Sequence, residues 1–218
     1  MKVKRFIRWA VLLMAAPALL LCLMPKVALA STASSGSGWI RLAHLSPNTP
    51  AVDVYLYSFG DPTAELVLHH VGYGVVSPYE SLAAGDYSVA MRAAGAVDTS
   101  KPVLSTSLTV APGGAYTVAG LGPESGLRLQ VLKDQLSTPP GKTLVRVIQA
   151  SLQQHVVTVT WNGQPTVTNL SFGSVSSYQA ATPATATLHV SGESETASTA
   201  ITLAAGTVHT IVVLDGPK

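Results

Sequence analysis

The sequence predicts an all-β fold: two tandem antiparallel β-sandwich modules behind an N-terminal export leader. Three observations predict it. Short runs alternate apolar and polar residues with period 2, as in Val52-Asp53-Val54-Tyr55-Leu56-Tyr57. Gly, Pro, Asn and Asp clusters punctuate these runs at short intervals, as at Gly60-Asp61-Pro62 and Pro112-Gly113-Gly114. Three blocks recur in the same order in the two halves of the chain. Many short strands at even spacing, with no helical apolar stripe, fit a sandwich or barrel.

The first thirty residues stand apart. Lys2, Lys4, Arg5 and Arg8 form a cationic head, Trp9 to Met24 carries no charge, and Ala28-Leu29-Ala30 supplies the small residues of a cleavage site. This is the layout of a secretory signal peptide spanning 1–30, with an uncleaved membrane anchor as the alternative. The apolar stretch is short for a span of ~20 residues, and Pro17 and Pro25 interrupt it. The only cysteine, Cys22, lies in the leader, so the mature chain has no disulfide or thiol chemistry. Cleavage also corrects the charge. The whole sequence has thirteen basic and eleven acidic residues, a formal +2; without the leader's five basic residues the balance is −3. A mildly acidic mature chain offers no electrostatic case for nucleic acid or for an anionic membrane surface.

Residues 31–38 read as a flexible Ser/Gly linker. Strands are expected at Trp39–Leu45, Val52–Tyr57, Leu66–Val71, Val75–Leu82, Tyr87–Met91, Val103–Val110, Ala115–Leu121 and Leu127–Leu132. They form module 1, residues 39–136. The run at 137–142 contains Pro139-Pro140, which cannot donate to a sheet and stiffens a connector. Module 2 follows at 143–218, divergent and shortened.

The repeat consists of Arg41…Ser46 against Arg146…Ser151, Gly74…Ser77…Tyr79 against Gly173…Ser176…Tyr178, and Gly113…Thr117 against Gly206…Thr210. Structural duties are expected for these positions. Arg41 and Arg146 lie on the strand face opposite their aliphatic neighbours, to bridge a carboxylate or loop carbonyls. Gly74 and Gly173 suit a positive φ. Tyr79 and Tyr178 tie down a loop. Module 2 has no counterpart of the Leu127–Leu132 strand, which leaves an edge open to strand addition or covered by something else.

The run Arg41-Leu42-Ala43-His44-Leu45-Ser46-Pro47, with Pro50-Ala51-Val52-Asp53-Val54-Tyr55, resembles the opening signature of a bacterial secreted family, domain-of-unknown-function family 4397. Tyr79 and Leu82 to Val89 resemble its next block. The likeness is clear in module 1 and weaker in module 2, where Gln149, Leu152 and Thr158 replace His44, Pro47 and Asp53. The resemblance implies an immunoglobulin-like or transthyretin-like sandwich at a bacterial cell surface, and no activity.

His44, Ser46 and Asp53 are the residue types of a hydrolase triad, and a secreted serine hydrolase is the alternative function they raise. No Gly-x-Ser-x-Gly elbow accompanies them, and Ser46-Pro47 reads more simply as a turn, with Asp53 pairing Arg41 or capping that turn. No catalytic residue is assigned. The six histidines show no metal-ligand spacing, and adjacent His69 and His70 point to opposite faces of a regular strand. No calcium loop or nucleotide motif is present, so no metal or cofactor is expected. Tyr55, Tyr57, His44 and Asp53 form the candidate ligand-binding group, a face suited to a cell-wall glycan or a surface protein. The expected function is a secreted or cell-surface, non-catalytic binding or structural module. A second alternative is an accessory domain completed by a partner strand at the module 2 edge.

Overall fold

Alternation dictates strands, and the computed structural model, which describes residues 36–216, contains fifteen. The leader and residues 31–35 of the linker lie outside the described residues. In module 1 the strands are β1 Ser37–His44, β2 Val52–Ser58, β3 Ala64–Val71, β4 Glu80–Ala83, β5 Gly85–Ala93, β6 Leu104–Val110, β7 Ala115–Leu121 and β8 Arg128–Asp134. After a connector at 135–142 come β9 Thr143–Gln149, β10 Val156–Trp161, β11 Gln164–Ser171, β12 Gln179–Ala181, β13 Ala184–Ser191, β14 Thr196–Leu203 and β15 Val208–Val213.

Four sheets result. Sheet I has the order β4-β1-β7-β8, sheet II β3-β2-β5-β6, sheet III β12-β9-β15 and sheet IV β11-β10-β13-β14. The first core lies between sheets I and II. Ile40, Leu42 and Val118 from one meet Val54, Leu56, Val89 and Met91 from the other. Val147, Val159 and Leu188 centre the second core, between sheets III and IV. A third cluster joins the outer faces of sheets I and III, with Ala43, Leu45, Ala119, Leu121 and Leu132 against Ile148, Ala150, Val212 and Leu214. The layers therefore run II, I, III, IV, and the modules are stacked rather than strung apart.

Two expectations need correction. The sandwich is not wholly antiparallel: β1 pairs with β7, and β9 with β15, in parallel. Each parallel pair is joined through the whole intervening sheet, the long crossover that parallel strands require. The strand expected at Val75–Leu82 shrinks to β4. Val76 contributes only an isolated bridge to Ala43, and Pro78 breaks the donor row between them.

The repeated blocks fold alike. Gly74 and Gly173 have φ of 80° and 71°, and each donates its N–H to the residue four places into its first strand's Arg motif, His44 or Gln149. Ser77 Oγ accepts from Leu42 N–H and donates to Pro78 O; Ser176 Oγ accepts from Val147 N–H and donates to Ser177 O. Two turns of unlike sequence thus dock on equivalent strands through the residues the repeat retains.

Candidate functional site

The three triad-type residues are each consumed by the fold. His44 is buried; its Nδ1 accepts the Ser46 N–H at 3.4 Å and its Nε2 donates to Pro50 O at 3.2 Å. Gln149 repeats both bonds, its Oε1 accepting from Ser151 N–H at 3.1 Å and its Nε2 donating to Gln154 O. A glutamine offers the same acceptor and donor as a neutral imidazole, so the exchange preserves the turn. Ser46 Oγ donates to Gly122 O, and Ser151 Oγ donates to Asp215 Oδ1, each tying the first strand's end to the segment just past the parallel partner.

Asp53 is buried on the outer face of sheet II, away from His44 and Arg41. Its carboxylate accepts the N–H groups of His70 and Gly95, both at 2.8 Å. His70 has a φ of 54° at a register shift between β2 and β3. This irregularity overrides regular alternation and brings both His69 and His70 within 3.4 and 3.9 Å of Asp53. In module 2 Thr158 Oγ1 accepts from Asn169 N–H, and Asn169 has a φ of 53°. Asp53 and Thr158 thus satisfy the same bulge. Burial pushes the Asp53 carboxyl up, but the donors from His70, Gly95 and His69 outweigh it and hold the group below the usual carboxylate range. Among the described residues no cluster of three or more His, Cys, Asp or Glu could hold a metal ion.

Tyr55 and Tyr57 do point away from the core, stacked at 6.3 Å between ring centroids. They are not an open platform. Arg92, paired across from Asp53, lays its guanidinium 4.6 Å from the Tyr55 ring centre and 5.8 Å from that of Tyr57. Its Nε donates to Ser100 O, which draws the following loop over the rings and leaves Tyr55 only 6% exposed.

The most concentrated polar chemistry lies between the modules. Arg146 Nη2 donates to Asp134 Oδ1 at 2.5 Å, while Tyr79 and Thr117 hydroxyls donate to Oδ2 and Arg41 Nε stands 3.6 Å from it. Arg41 Nε donates to Thr117 Oγ1, and Arg146 Nε donates to Thr210 Oγ1. Arg41 lies over Tyr79 at 4.6 Å and Arg146 over Tyr178 at 4.8 Å. The arrangement is nearly two-fold, with two Arg-Thr-Tyr sets around one carboxylate. Burial, reinforced by the bond to Asp134, pushes the Tyr79 phenol well above its ordinary range. Sequence reasoning singled out the arginines and tyrosines of this centre but not Asp134. The available signal was its position, at the end of β8 and on the same face as Leu132.

A family model described as "Domain of unknown function (DUF4397)" matches residues 38–160 and again 143–217. The chain belongs to this family. The two matches are consistent with two tandem copies, the second divergent. No curated protein matches the chain. Among solved structures the Bacillus anthracis TIE protein aligns with a TM-score of 0.27 and 10% identity, over 82% of this chain and 34% of that one. The chain thus spans about a third of that protein. Among the described residues no helix is long and apolar enough to cross a membrane.

Proposed function

We propose that this DUF4397 protein is an exported, non-catalytic binding module that takes up a strand from a partner protein along β15. The observation that carries this reading is an asymmetry between equivalent strands. In module 1, β7 has β1 on one side and β8 on the other. Its counterpart β15 pairs with β9 alone among the described residues. In the β9 pairing, Leu144 N–H meets Thr207 O and Ala150 N–H meets Val213 O. That phase turns the N–H and C=O groups of Val208, Thr210 and Val212 to the unpaired side. Such a row is a template for an added strand.

Two further observations support the reading. His44, Ser46 and Asp53 all have structural duties that module 2 duplicates with Gln149, Ser151 and Thr158, so each of the three is already engaged by the fold. On the Tyr55–Tyr57 face, expected to suit a cell-wall glycan or a surface protein, Arg92 covers Tyr55. The leader-like composition of 1–30 supports export.

Panning the purified mature chain against displayed random peptides tests this function. Extended peptides should be enriched and should lose binding to Val212→Pro, whose missing N–H removes a donor from the free edge while leaving the β9 ladder intact. Enrichment that survives Val212→Pro, or retention on wall glycan with no peptide enriched, would contradict it.

A further inference from the structure

The repeat itself indicates what the β15 edge lacks. Module 1 displays the complete arrangement: β8 runs antiparallel to β7 with Asp134 opposite Ala115 and Leu132 opposite Thr117. From there Asp134 reaches Arg146, the arginine of the other module, and Leu132 packs in the cluster that also holds Val175. Arg128 of the same strand donates to Gly173 O.

Module 2 presents the receiving half of the same arrangement with no strand in it among the described residues. Val208 and Thr210 are the counterparts of Ala115 and Thr117. Arg41 is the counterpart of Arg146, yet its side chain is 22% exposed where that of Arg146 is 3% exposed. Arg41 Nη2 has only a long bond, 3.4 Å, to Thr210 Oγ1. The Tyr79 hydroxyl donates to Asp134, while that of its counterpart Tyr178 has no hydrogen-bond partner among the described residues. Val76, the counterpart of Val175, is 41% exposed although it is apolar. Arg41, Thr210, Ile148, Val212 and Val76 line one cleft of about 180 Å³ between sheets I and III. The charge is also unmatched, with two guanidinium groups around one carboxylate.

We propose that the partner strand carries a carboxylate at one defined position. It runs antiparallel to β15, places an Asp or Glu opposite Val208 so that the carboxylate meets Arg41 and the Tyr178 hydroxyl, and places a branched apolar residue opposite Thr210, over Val76. This rests on the strand-addition reading above and adds the chemistry of the partner. In one-letter code the pattern is the one β8 carries, L-x-D, where x, Lys133 in β8, alternates onto the opposite face.

The probe is a labelled peptide of the Gly126–Gln135 sequence, GLRLQVLKDQ, titrated against the full mature chain by fluorescence anisotropy, with hydrogen exchange locating it. The Asp peptide should bind and protect the Thr210 and Val212 amides. Its Asn version should bind roughly tenfold more weakly, the size of one charge-assisted contact. Arg41→Gln should erase that difference. Val76→Ser, on an already exposed side chain, should weaken both peptides without lowering the melting temperature. Equal binding of Asp and Asn peptides, with the amides protected, overturns the carboxylate proposal and leaves strand addition standing. Failure of both peptides to protect β15 overturns both.

Discussion

His44 and Gln149 make the same two bonds with different chemistry, and a prediction follows at that position. His44→Gln should change the unfolding free energy by less than about 1 kcal/mol, because donor and acceptor are both retained. His44→Leu leaves the Ser46 N–H and Pro50 O unpaired and should cost about 1–3 kcal/mol in a denaturant titration. The same logic applies to Ser46. Its hydroxyl is held by Gly122 O and bonded to Thr49 Oγ1, so a serine-directed probe should leave it unlabelled at neutral pH. Asp134 is the least replaceable residue. Asp134→Ala strands Arg146 in a buried interface and should cost about 3–5 kcal/mol by the same measurement. These duties were partly legible in the sequence. Arginine on an aliphatic strand announces a partner, but the carboxylate came from a strand that no repeated block contains.

At the scale of elements, alternation located most of module 1, most plainly in β6, where more and less buried residues alternate, whereas β7 is buried on both faces. Alternation failed where the backbone departs from period 2. β3 bulges at His70, so two adjacent histidines converge on Asp53 instead of pointing apart. The Val75–Leu82 run is apolar enough for a strand, yet Pro78 and the turn at Gly74 leave only Glu80–Ala83 in the sheet. The Tyr55 and Tyr57 rings face outward, but Arg92 and Ser100, remote in sequence, cover Tyr55. The repeat was the most informative feature, since it aligned β7 with β15, which has no counterpart of β8 beside it among the described residues. Val212→Pro, which removes no ladder bond and gives up only part of the Val212 packing in the third cluster, should therefore cost far less stability than Val118→Pro, which lies inside a core strand bonded on both sides and should prevent folding; comparison of melting temperatures checks this.

For the whole molecule, the cluster between sheets I and III makes the modules mutually dependent. Heating should give one cooperative transition for both, read by calorimetry, and two resolved transitions would mean the interface is weak. The pH limits follow from two groups. Asp53 is held below its ordinary range when folded, so its contribution is full above about pH 4 and is lost as pH falls through the folded value; Asp53→Asn should flatten that acid limb. Tyr79 is raised when folded, so its contribution is full below about pH 10 and fades as pH rises beyond it; Tyr79→Phe should flatten the alkaline limb. The central claim is that, among the described residues, two equivalent sandwiches differ by one strand, and amide hydrogen exchange in the free chain tests it most directly. The account predicts that Thr117, covered by β8, exchanges roughly a hundredfold or more slowly than Thr210 on the unpaired side of β15. Equal protection of the two amides would mean that β15 already has a neighbour and would contradict the account.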